Sequence, residues 1–89
     1  MKQIIDKAEK LGFHKGMVLE DTDYITLCVI QKWLSDEKNI TVTVENMFNI
    51  DFNYYISGDI YGCANNYEQA LKEGIEYALN HFWITQRVI

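Results

Sequence analysis

Residues 21–45 read DTDYITLCVIQKWLSDEKNITVTVE, and the period of their apolar residues changes once. Up to about Lys38 the spacing is helical; from Ile40 it alternates. Asp21 or Thr22 suits an N-cap, and Asp23 falls in a first turn where the helix dipole favours an anion. Tyr24, Leu27, Cys28, Gln31 and Leu34 share one face. Ile25, Val29, Ile30 and Trp33 widen the apolar arc, so this helix is expected to be buried on more than one side. Ser35 to Lys38 mark its exit to solvent. Asn39 suits a left-handed stop, after which Ile40 is expected to touch Leu34. Ile40, Val42, Val44 and Phe48 then point one way and Thr41, Thr43, Glu45 and Met47 the other, the period of a half-buried strand.

Upstream, Met1–Leu11 places Ile4, Ile5, Ala8 and Leu11 at helical spacing. Gly12 follows as a left-handed C′ residue, with Phe13 folding back towards Ala8. His14–Glu20 is a connector. Downstream, Asn49–Asn53 is expected to turn and Phe52–Tyr61 to form a second strand. Phe52, Tyr54, Ile56 and Ile60 would face inward, and Asn53, Tyr55, Ser57, Asp59 and Tyr61 outward. The short link demands an antiparallel hairpin. Gly62–Asn65 reads as a loop, and Asn66 as an N-cap with Gln69 in capping-box position. The last helix sets Tyr67, Ala70, Leu71, Gly74, Ile75, Ala78, Leu79 and Phe82 on one face. Gly74 costs about 1 kcal/mol against Ala within a helix, which a close approach to another element would explain. The tail Trp83–Ile89 is apolar and β-prone.

The 89 residues suit one domain, 1–89, with no proline, repeat or linker. The expected fold class is α+β: three helices packed on one face of an antiparallel β-hairpin, in the order α-α-β-β-α. A domain this small buries only roughly 60–65% of its unfolded surface, so self-association would stabilise it.

Eight basic and 13 acidic residues leave a net charge of −5. The basic residues are scattered, whereas phosphate backbones need them clustered, so no direct nucleic-acid partner is expected and no anionic membrane surface. No run approaches the roughly 18 apolar residues that span a bilayer. No charged segment leads an apolar stretch at the N-terminus, and two cysteines do not make a disulfide framework. The expected location is cytoplasmic, with reduced thiols.

No motif for chemistry rises above background. His14, His81, Cys28 and Cys63 lack the short paired spacing of structural zinc sites, so no metal is expected. Cys63 precedes a helix, where a thiol pKa can fall, but His81 lies roughly 20 Å along that helix. Asp21 and Asp23 lack the further oxygen ligands and glycine of a calcium loop, and capping accounts for them. No catalytic residue and no cofactor is expected. The aromatic residues are the one compositional excess. Trp33, Phe48, Phe52, Tyr54 and Phe82 fall on core-facing positions. Tyr55 and Tyr61 fall on the outer strand face, and tyrosine is favoured at interfaces. With Trp83 and Ile84 in the tail, they are the candidate protein-contact residues.

Two resemblances follow from these residues. Gln31-Lys32-Trp33-Leu34, then Glu37-Lys38-Asn39-Ile40, a hairpin, and Tyr67-Glu68-Gln69-Ala70-Leu71-Lys72-Glu73-Gly74 with Ala78-Leu79 resemble an uncharacterised family of short proteins from gut bacteria and their phages or prophages. The likeness covers residues 22 to 80, departs at Asp36 and Lys38 where that pattern tends to Arg and His, and implies a fold without a site. Tyr54 to Leu79, a strand, Gly62-Cys63, a loop and a helix with Glu68, Ala70 and Leu71, is similar to the HicB-type antitoxin core. This chain lacks the prolines that precede the Gly-Cys pair there. That likeness implies a small basic partner protein. The expected function is therefore a non-enzymatic domain acting through protein–protein contacts or self-association, with a HicB-like inhibitor as the alternative.

Overall fold

The computed structural model describes residues 2–14, 23–47 and 51–82. They form three helices and one three-stranded antiparallel sheet, an α+β arrangement. Helix α1 spans Lys2–Lys10 and buries Ile4 and Ala8. Gly12 takes φ 109°, the Gly12 N–H donates to the Glu9 carbonyl at 3.1 Å, and the Phe13 N–H donates to the Ala8 carbonyl at 3.0 Å. This paired closure needs a residue free to adopt positive φ, and it carries Phe13 into the core.

Helix α2 spans Asp23–Lys38. Leu27, Ile30, Trp33 and Leu34 are buried, and Ile25, Cys28 and Val29 are half-buried. Its apolar arc is thus covered from several sides. Phe13 meets Trp33 edge to face at 5.4 Å, and Lys38 Nζ stands 5.7 Å from the Trp33 ring centre. Asn39 has φ 55°, and the Ile40 N–H reaches back to the Leu34 carbonyl at 3.0 Å. The N-cap expected of Asp21 or Thr22 and the connector beyond His14 lie outside the described residues.

Strand β1 spans Val42–Met47, β2 Asp51–Ile56 and β3 Asp59–Ala64, paired in that order. In β1, Val42 is buried, Val44 half-buried and Thr43 and Glu45 exposed, as the alternation predicts. Beyond Ile56 the expected hairpin is corrected to three strands. Ser57 at φ 53° and Gly58 at φ 94° make a two-residue turn, and Ile56 pairs with Asp59. Positive φ at both central residues matches the twist of the flanking strands, the tightest reversal available. The chain that reads as one strand over 52–61 is therefore two. The loop expected at Gly62–Asn65 is mostly β3, and of the turn expected at Asn49–Asn53 the described part, Asp51–Asn53, belongs to β2.

Helix α3 spans Tyr67–Tyr77, and a π-helical stretch, Ala78–Phe82, continues it. The Gln69 N–H donates to Asn66 Oδ1 at 2.8 Å, the expected cap. The reciprocal arm of a capping box is replaced, because the Gln69 side chain bonds Glu73 at 3.0 Å. Ala70, Leu71, Gly74 and Ile75 are buried as α3 lies across all three strands. A Cβ built on Gly74 would meet Val42 Cγ1 at 2.9 Å and Tyr54 Cβ at 3.2 Å. The helix glycine thus marks the closest approach of helix to sheet. Helix α2 packs on α3 and on β1, and α1 on the π-helical stretch.

Candidate functional site

The four residues expected at a contact surface are not brought together among the described residues. Trp83 and Ile84 lie outside them. Tyr55 is half-buried on β2, opposite Thr43 on β1 and Ile60 on β3. Tyr61 faces elsewhere. Tyr54 pairs with Gly62 and Tyr55 with Ile60, so β3 carries one extra residue, Tyr61, between consecutive pairs. Such a bulge shifts the parity of the strand by one. Tyr61 turns towards α3 and meets Tyr77 at 5.0 Å, while Ile60, expected inward, sits 57% exposed in the row with Tyr55.

The outer sheet face therefore carries Thr43, Tyr55 and Ile60 in one cross-strand row, and Glu45, Asn53 and Cys63 in the next. Ile60, near the start of the edge strand β3, is the most exposed large apolar side chain among the described residues. Period-2 reading missed it; the signal available was Ser57-Gly58, a pair suited to a two-residue turn.

The sheet edges are partly closed. On β1 the Gln31 side-chain amide donates to the Val42 carbonyl, so α2 covers the start of that edge. On β3 the Tyr61 bulge interrupts a flat edge, a common guard against unwanted strand pairing. Gly62 has its own reason: any Cβ there would collide with the Tyr54 phenol, whose ring lies over it. The Tyr54 phenol is held above its ordinary pKa, first by partial burial and then by Glu73, Cys63 and Tyr77.

Two further aromatic groups flank the sheet. Tyr61, Tyr77 and His81 form a row, with His81 4.4 Å from Tyr77. Tyr24, Tyr67 and Phe52 form a second, with Tyr67 6.1 Å from Tyr24 and 6.3 Å from Phe52. Sequence reading assigns Phe52 to the core and places Tyr67 on the apolar face of the last helix. Phe52 is instead half-buried and Tyr67 39% exposed, the two meeting near the start of β2 and of α3. A hydrogen bond with Cys28, and the Cys28 charge beyond it, raise the Tyr24 phenol above its ordinary pKa.

Cys63 sits on β3 opposite Asn53, exposed, and not in a loop before the last helix. His81 follows α3 in the π-helical stretch and stacks on Tyr77. Among the described residues no three His, Cys, Asp or Glu side chains gather as a metal set. A groove of about 260 Å³ runs between α2 and β1, beside the Lys32–Asp36 ion pair at 2.9 Å. That ion pair raises the Lys32 pKa, by hydrogen bond first. Another groove, of about 390 Å³, lies between the ends of α1 and α2, with His14, Trp33 and Glu37 on its walls. No helix among the described residues is long and apolar enough to cross a membrane. Comparison of the chain with protein-family models, with curated proteins and with solved structures found no match.

Proposed function

We propose that this chain is a small non-enzymatic domain that acts through protein–protein contacts, chiefly self-association through the outer face of its sheet. In this reading the three helices gather on one face and leave the other free. The observation that carries it is Ile60, 57% exposed and in register with Tyr55 and Thr43. Ile60 lies near the start of the edge strand β3, and an exposed apolar side chain there regains free energy when a partner covers it, about 25 cal/mol per Å². Trp83 and Ile84 add apolar area to the same proposal.

Light scattering on the size-exclusion eluate tests it across a concentration series. The expected mass rises above the 10.5 kDa of one chain as concentration grows. Ile60→Asp is expected to return it to one chain without changing the melting temperature by more than a few degrees. A single-chain mass at every concentration, with Ile60→Asp indistinguishable, ends the self-association reading. The HicB-like alternative has one observation in its favour: Gly62-Cys63 lies in an edge strand that leads through the Asn66 cap into α3. A neighbouring reading frame without a small basic protein removes it.

A further inference from the structure

Tyr24, Phe52 and Tyr67 come from three elements, the first turns of α2 and α3 and the start of β2. Tyr67 stands between the other two, inclined at 69° to Tyr24 and 86° to Phe52. Of the four exposed large apolar side chains among the described residues, two are here: Tyr24 is 42% exposed and Tyr67 39%. An exposed group of rings drawn from separate elements marks a contact surface more strongly than rings scattered singly.

The charge next to these residues in the chain is of one sign. Each ring residue has an acidic neighbour in the chain: Asp23 before Tyr24, Asp51 before Phe52, Glu68 after Tyr67. No Lys or Arg lies within two residues of any of the three. The side chains of Asp51 and Glu68 are exposed, and the one ion pair between described residues, Lys32–Asp36, involves neither. Glu68 lies near enough to contribute to raising the Tyr24 phenol. Ring faces carry negative potential and attract a cation placed over them; adjacent carboxylates add to the same field.

We propose that Tyr24, Phe52 and Tyr67, with Asp51 and Glu68 beside them, form a docking site for an arginine side chain of a basic protein segment. Arginine fits better than lysine because its planar guanidinium stacks on a ring while its N–H groups reach a carboxylate. The site rests on the protein-contact reading and names the chemistry of one partner. It joins the first turns of α2 and α3 to the start of β2, at strand positions other than the Thr43–Tyr55–Ile60 row.

The test is an NMR titration of the full chain with acetyl-Gly-Arg-Gly-Arg-Gly-amide and with the same peptide carrying citrulline for arginine. Saturable shifts of the Tyr24, Phe52 and Tyr67 ring resonances are expected with arginine and not with citrulline. Tyr67→Leu keeps apolar area but removes the ring, and is expected to weaken binding by about two- to fivefold. Glu68→Gln is expected to weaken it at low salt and little at high salt, as befits an exposed charge. Shifts spread evenly over the acidic surface, equal binding of the citrulline peptide, or unchanged binding by Tyr67→Leu would each overturn the site. Responding rings on a chain that stays monomeric in light scattering keep this site and remove self-association. An oligomer with silent rings does the reverse.

Discussion

Two reversals of the chain use the same backbone device and differ in how visible they are. At Asn39, φ 55°, helix α2 ends and β1 begins. At Ser57-Gly58, φ 53° and 94°, β2 ends and β3 begins. Both place a non-glycine residue in the left-handed region, which only short polar side chains enter at modest cost. The first lies between two periods, 3.6 before it and 2 after it, so the change of pattern announces the boundary. The second lies between two strands of the same period. Tyr54, Ile56 and Ile60 keep the alternation running straight through the turn, and nothing in the hydropathy marks a stop. A boundary between unlike elements is written twice in a sequence, by its turn residues and by the change of period. A boundary between like elements is written once.

The comparison can be broken first at the helix. Trp33 is 6% exposed, set edge to face on Phe13. Trp33→Ala is expected to cost about 3–5 kcal/mol, as large core truncations do. In a domain of this size that approaches the whole stability, and a thermal melt should show a shift of tens of degrees or no folded baseline. A melt within a few degrees of the parent would mean that α2 is not the centre of the core.

A smaller effect is expected at the turn. Gly58 at φ 94° has open space around a would-be Cβ, so the obstacle to a side chain there is backbone conformation alone. Gly58→Val is expected to cost about 1–3 kcal/mol in urea unfolding. Its hydrogen-exchange protection should fall most in Asp59–Ala64 and least in α2. Equal loss across both regions would show that β3 and α2 unfold as one unit, and the contrast between the two reversals would then be one of legibility only.

The smallest effect is expected from pH. Burial holds the Tyr54 phenol above its ordinary value of 10.0, so the folded chain binds that proton more tightly than the unfolded chain. The contribution to stability is complete below that ordinary value and is lost as pH rises through the folded value. The melting temperature should therefore decline above about pH 10, and less so in Tyr54→Phe. An equal decline in both would assign the alkaline sensitivity to other groups.

Most of the helical frame was legible. Gly12, Asn39 and Asn66 punctuate it by local rules, and each residue does what its type and position require. Gly74 was legible as an anomaly, a glycine inside an apolar helix face, and the sheet supplies the reason in Val42 and Tyr54. The candidate contact surface was legible only in part. Tyr55 does lie on the outer face. Tyr61 was assigned there by counting in twos from Tyr55, and one extra residue in β3 defeats that count. Spacing put Phe52 in the core and Tyr67 on the apolar face of the last helix, yet spacing says which face a residue occupies and not how far that face extends before it runs out of cover.

The sequence by itself determined the three helices, the first strand, the stops at Gly12 and Asn39, the Asn66 cap, and most of the inward residues of α1, α2, β1 and α3. These follow from apolar periodicity and from residues whose backbone preferences act over three or four positions. Only the tertiary structure decided the third strand, the side to which Tyr61 turns, the exposure of Ile60 and the meeting of Tyr24, Phe52 and Tyr67. Those depend on register between strands and on where one element ends above another. Both are set by pairing across the fold, where a shift of a single residue reverses every side chain that follows.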